Sequence, residues 1–164
     1  MFLRRIKTSA ISPSPYYLCY FYPMSVSIPI EVIELEQDNY HLLASVRFSD
    51  GESGKWVIDT GASKSVFDQN LSQYYKARDG FTEELHSAGF YDEPIKSTLG
   101  ILESFSFGKF RIDEMKVALM DLSHINMLYS KYSGIKICGL LGGDFLIRYN
   151  AVIDYRKKRM ILRK

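Results

Sequence analysis

Apolar and polar residues alternate with a period of two along much of the chain. Ile28, Ile30 and Val32 take every second position of one segment. Leu42, Ala44, Val46 and Phe48 do so in the next, alternating with His41, Leu43, Ser45 and Arg47. That period puts successive side chains on opposite faces, so both segments predict strands, the second half-buried. Gln37-Asp38-Asn39 supplies the turn between them, and Pro29 suits an edge strand or its first residues. Ser49 to Gly54 is a turn cluster, and Lys55 to Ile58 pairs back as a hairpin. Ser65-Val66-Phe67 predicts a short strand, after which Asp68 caps a small helix through Leu71, Tyr74 and Tyr75. Within Phe81 to Ile95, strand formers flank a small-residue centre, which predicts a hairpin.

Thr98 to Phe107 and Phe110 to Met120 alternate around a turn at Gly108-Lys109. Ser123 predicts the cap of a short helix through Ile125, Leu128 and Tyr129 that ends near Gly134. Ile135 to Leu141 reads as a buried strand, broken by Gly142-Gly143. Asp144 then caps a helical turn from Phe145 to Tyr149. Ala151 to Tyr155 and Met160 to Leu162 close the chain as a hairpin across Arg156 to Arg159. Many short strands with one to three short helices predict an all-β protein, a small closed or nearly closed barrel.

Composition narrows this little. The 164 residues suit one domain, and 46% apolar with 24% charged content is that of an ordinary soluble globular protein. The net charge of +2 is unevenly spread. Residues 1–24 carry +3, the tail after Tyr155 carries +6, and −7 falls on the rest. A basic tail is one signature of nucleic-acid binding. This one is short and split by Met160-Ile161-Leu162, so it reads as a charged hairpin with solvated ends. No aromatic stacking face supports a nucleic-acid partner. Cys19 and Cys138 have no metal-ligand spacing and make no disulfide framework, so a reducing, cytoplasmic setting is expected. No stretch reaches the ~18 apolar residues of a membrane-spanning helix. Residues 1–24 read as a disordered leader, a weak export signal, or an upstream extension with translation starting at Met24. Globular patterning begins only after Met24, which favours the last and puts the domain at residues 25–164.

The chemistry is concentrated at Lys55-Trp56-Val57-Ile58-Asp59-Thr60-Gly61-Ala62-Ser63. A buried apolar strand delivers one carboxylate into a tight turn. Burying such a charge costs several kcal/mol or more unless it is hydrogen-bonded. Thr60 offers a hydroxyl to anchor the turn, and Gly61 admits close backbone approach. Asp-Thr-Gly alone is a common turn sequence. It gains meaning from a second stretch, Gly139-Leu140-Leu141-Gly142 followed by Asp144-Phe145-Leu146.

Together, in this order and spacing, the two stretches resemble the retropepsin-like aspartyl proteases, over about Ile28 to Leu162. The resemblance implies a retropepsin-like acid-protease β barrel with Asp59 as the catalytic aspartate. It implies that the Thr60 hydroxyl locks two active-site turns together. Gly61, Ala62 and Ser63 complete the turn, and Leu140, Leu141 and Gly142 form the segment that supports it. A flap over an extended peptide is implied, placed here at Ser87, Ala88, Gly89 and Phe90. No metal or cofactor is required. Two facing carboxylates share one proton and divide the roles of base and acid. This chain has one Asp-Thr-Gly, so the second aspartate is expected from a second copy across a two-fold axis. Ala62 is retroviral-like. Gly143 stands where retroviral proteases commonly carry Arg, so that residue's ion-pair contact has no counterpart here. The ending beyond Asp144 looks more like cellular or bacterial members. The expected function is a homodimeric aspartic endopeptidase acting on peptide or protein. The competing reading is a silent peptide-binding or scaffold module of the same fold.

Overall fold

The computed structural model describes residues 25–85 and 95–164. Its strands are β1 (Ser25–Glu36), β2 (Asn39–Phe48), β3 (Ser53–Ile58), β4 (Val66–Asp68), β5 (Tyr75–Leu85), β6 (Ile95–Leu102), β7 (Phe105–Phe107), β8 (Phe110–Ile112), β9 (Met115–Met120), β10 (Gly139–Leu141), β11 (Val152–Asp154) and β12 (Arg159–Arg163). Two short helices join them, α1 (Ser123–Ser133) and α2 (Gly143–Arg148). Among the described residues all the strands belong to one sheet. Its main path is β11-β12-β1-β2-β3-β10-β4-β9-β6-β5, with β7 paired to β2 and β8 to β7. No helix among them is long and apolar enough to cross a membrane.

Distant parts of this path share one apolar cluster, to which Ile28, Val46, Trp56, Phe105, Val117 and Leu162 all belong. A flat sheet cannot bring these strands together, so the sheet curls around the cluster. Each fully buried large side chain, such as Trp56 or Phe67, contributes about 1.5–3 kcal/mol. A second, smaller cluster holds Leu43, Val57, Val66, Ala118, Leu122 and Tyr129. Here α1 is laid over the outer face of the sheet. β3 is therefore buried on both sides, with Trp56 and Ile58 facing one cluster and Val57 the other. Leu43, expected on the polar face of β2, has no exposed surface because of this cover.

The chain order is broken at one place that matters. β3 and β4 leave a gap between them, and β10 enters it, parallel to β3 and antiparallel to β4. The gap is too narrow for side chains at two positions. A Cβ on Gly139 would lie 2.4 Å from the Val66 carbonyl oxygen, and one on Gly142 would lie 2.5 Å from the Lys64 carbonyl carbon. Glycine is what allows three backbones to meet there.

Several local expectations are corrected. Asp68 caps no helix: it ends β4, and only a 3-10 turn, Ser72–Tyr74, follows. α1 begins at Ser123 with no side-chain cap from Ser123 itself. Instead the Ser123 N–H donates to Asp121 Oδ1 at 2.9 Å. Ile135 to Cys138 is not strand. The Asn126 side chain takes both backbone groups of Ile137, at 2.8 Å and 3.0 Å, which replaces ladder bonds there. Thr98 to Phe107 breaks into β6 and β7, and Phe110 to Met120 into β8 and β9. The expected turn at Gly108-Lys109 does join β7 to β8, with Gly108 at φ 56°.

Candidate active site

Asp59 follows the last residue of β3. Its backbone N–H donates to the Leu141 carbonyl oxygen at 3.0 Å, so β10 fixes where the strand releases it. The carboxylate then folds back over its own turn. Its Oδ1 accepts from the N–H groups of Gly61 at 2.9 Å and Ala62 at 3.2 Å. This is the hydrogen bonding that a half-buried charge requires. Among the described residues no hydrogen bond reaches its Oδ2. Thr60 and Ser63 are exposed and Ala62 half-buried. The Thr60 hydroxyl makes no bond within the described chain.

Residues 140–143 are tied to the turn. Leu140 and Leu141 pair with Val57 and Ile58, and the Gly143 N–H donates to the Ala62 carbonyl at 2.8 Å. A second tie was not foreseen. Ser65 donates to Asp144 Oδ1 from its backbone N–H at 2.9 Å and from its hydroxyl at 2.7 Å. The same hydroxyl accepts from the Gly142 N–H at 3.0 Å. Asp144 is therefore not the N-terminal cap of α2, which starts at Gly143. Asp144 staples the turn after Asp59 to the start of that helix, and its Oδ1 also accepts from the Phe145 N–H at 2.8 Å. The clue in the sequence was a hydroxyl and an acid set beside the two motifs, with no turn of their own to explain them.

Asp59 and Thr60 line a cleft of about 390 Å³. Its walls are largely apolar, with Leu42, Ile58 and Leu140 from the sheet and Ile125 and Leu128 from α1. Among the described residues that line it, Asp59 is the one acid. The sequence also gave no notice of His41 and Tyr129, which line the same cleft. The Tyr129 hydroxyl lies 2.6 Å from His41 Nδ1, with the rings edge to face. Burial, and after it the charge of Asp59, pushes the Tyr129 phenol up to about 12.

A larger depression of about 660 Å³ runs by Asp68, Asn70 and Lys131. It shares no lining residue with the Asp59 cleft, and its carboxylate is already bonded to Asn70 and Asn126. No three His, Cys, Asp or Glu side chains among the described residues converge on a point where a metal ion could sit. The arms of the expected flap hairpin are paired from Tyr75–Leu102 to Leu85–Ile95, with an irregularity between Ala77 and Thr82. Ser87, Ala88, Gly89 and Phe90 lie outside the described residues.

The chain belongs to the aspartyl protease family, whose model matches residues 44–145. That span contains the Asp59 turn and the Leu140-Leu141-Gly142 segment. The chain is also similar to a crystal structure of a retropepsin-like aspartic protease from Rickettsia conorii. The identity is 22%, over 85% of this chain and 90% of that one, with a TM-score of 0.44. A crystal structure of the retroviral protease-like domain of Ddi1 from Leishmania major is 13% identical, over 73% of this chain and 89% of that one, with a TM-score of 0.41. Comparison with curated proteins gives no match.

Proposed function

We propose that this protein is an aspartic endopeptidase whose active site is completed by a second copy of the chain. One observation carries the reading. Asp59 is held by a single oxygen on two backbone N–H groups, and it lines an apolar cleft in which no other acid stands among the described residues. A lone carboxylate cannot serve at once as base and acid. A second one, brought by a twin across a two-fold axis, shares a proton with it. The ionised member takes a proton from water as the water oxygen bonds to the peptide carbonyl carbon. The protonated member gives its proton to the carbonyl oxygen. In the tetrahedral adduct the carboxyl that took the water proton now gives it to the amide nitrogen, the other carboxylate takes a proton from a hydroxyl of the adduct, and the C–N bond breaks to release an amine and a carboxylic acid. Thr60, exposed and unbonded among the described residues, is available to lock the two turns together. The substrate is an extended peptide laid along the cleft. Ser87, Ala88, Gly89 and Phe90 are the assigned flap.

The test is digestion of a peptide library by the protein and its Asp59→Asn variant from acidic to neutral pH. Cleavage by the first and at least about a thousand-fold loss in the second is expected. Equal turnover would remove the assignment. Peptide binding without cleavage by either protein would point to a silent binding module. Sedimentation at micromolar concentration should show dimers wherever activity is found.

A further inference from the structure

We infer that α1 is the specificity wall of the Asp59 cleft, with Ile125 and Leu128 selecting a large apolar side chain of the substrate. Single exposed hydrophobic side chains are ordinary, but a group of them around one opening marks a binding surface. Among the described residues eight large hydrophobic side chains are exposed. Four of them, Tyr40, Ile125, Leu128 and Tyr155, line this one cleft. They come from β2, from α1 and from the turn after β11, so the fold itself has gathered them. The helix does not need Ile125 and Leu128 for its own seat. Its two buried residues, Asn126 and Tyr129, hold it to the sheet. Asn126 takes both backbone groups of Ile137, and the Tyr129 hydroxyl lies 2.6 Å from His41 Nδ1. Ile125 and Leu128, three positions apart and so on one face, flank these anchors on the cleft side. They are 38% and 43% exposed. Met127 is 61% exposed and lines the other depression, so it lies on a different face.

The lining decides what the cleft takes. Leu42, Val57, Ile58 and Leu140 supply apolar surface from the sheet, opposite the two aliphatic side chains of α1. Among the described residues no Lys or Arg lines the cleft. An acidic side chain entering it would lose its water, find no cation and meet the like charge of Asp59. A large apolar side chain gives up no hydrogen bond on entry and gains by leaving water. A volume of about 390 Å³ has room for a phenylalanine or leucine side chain together with part of its backbone. Because α1 is anchored at Asn126 and Tyr129, its wall is set before substrate arrives, and a preset wall discriminates by size.

In its kinetic arm the inference rests on the endopeptidase reading; in its binding arm it does not. Library digestion should show large apolar residues enriched, and Asp and Glu depleted, at a position near the cleaved bond. Two peptides that differ only there, Phe against Ala, then serve as probes. The ratio of their kcat/KM should fall about 5–30-fold in Leu128→Ala and in Ile125→Ala. Met127→Ala, on the other face of the helix, should leave that ratio where it is. Leu128→Glu should raise the ratio for Lys against Phe by at least about tenfold. A merely structural role for the helix would lower all peptides alike and move no ratio. Cleavage with ratios unmoved by the Ile125 and Leu128 changes, or moved equally by Met127→Ala, overturns the inference and leaves the endopeptidase reading standing. Should the wild type cleave nothing, binding decides, read by fluorescence anisotropy of a labelled peptide centred on Phe-Phe and of one centred on Glu-Glu. Preference for the first, weakened about 5–30-fold by Leu128→Glu, upholds the wall and removes only the protease reading. Equal binding of the two, binding of neither, or no effect of Leu128→Glu overturns it. Thermal melts check that each variant is folded.

Discussion

Asp59 and Asp68 sit at the ends of β3 and β4, the two strands that flank β10, yet the fold treats them in opposite ways. Asp68 is 1% exposed and both of its oxygens are occupied. Oδ1 accepts from the Asn70 N–H at 3.1 Å and its side-chain amide at 2.9 Å, and Oδ2 meets the Asn126 amide at 3.4 Å. Its job is to knit β4, the following turn and α1 together. Asp59 is half-buried beside a cleft, with one oxygen tied to its own turn and the other without a hydrogen bond among the described residues. A buried acid whose bonds are complete holds structure. An acid held by half of its bonds at an opening is available for chemistry.

The sharpest way to break this comparison is to remove each carboxylate in turn. Asp59→Asn should abolish peptide cleavage and leave the urea midpoint within experimental scatter. Asp68→Ala should do the reverse, costing about 2–4 kcal/mol in urea unfolding, because the buried Asn126 amide and the N–H groups of Asn70 lose their acceptor. A stable Asp68→Ala protein would mean that this knot is not structural. Next in size is the gap that admits β10. Gly142→Ala puts a methyl against the Lys64 backbone and should cost about 3 kcal/mol. Gly143→Ala meets only ordinary contacts, the nearest at 3.6 Å, and should be near neutral. Similar melting temperatures for the two would show that the backbones can part.

Ser65→Ala tests the staple on the Asp59 side. It strips Asp144 of a donor and the Gly142 N–H of its acceptor, so about 1–3 kcal/mol should be lost. Activity should fall as well, since the turn that carries Asp59 loosens. The smallest effect is alkaline. Tyr129 holds its proton more tightly folded than unfolded, with its phenol pushed from 10.0 up to about 12. The folded state is thus favoured in full below pH 10, and that advantage is lost as pH rises toward 12. Tyr129→Phe should lose this part of the alkaline destabilisation, as read by denaturant midpoints at pH 9 and 11.

Most of the strands were legible because each carries its own period-two pattern, and the Asp59 turn was legible because its residues are contiguous. What failed has a common cause. Asp68, Ser123 and Asp144 were each read as helix caps, since an acid or hydroxyl before an apolar run is a cap signal. In the folded chain Asp68 and Asp144 bond across to Asn126 and Ser65, and α1 takes its cap bond from Asp121. A short polar side chain bonds to whatever donor is nearest, and only packing decides which that is.

The sequence by itself determined the β-rich class, the strand that releases Asp59, and the glycines needed where backbones crowd. Those depend on side-chain period and on the steric cost of a Cβ, both local properties. Only the tertiary structure decided that β10 would enter between β3 and β4, that α1 would cover Leu43 and Val57, and that His41 and Tyr129 would meet beside Asp59. Those outcomes join residues far apart in the chain, and what selects them is the burial of apolar faces when the sheet curls and the helix settles on it.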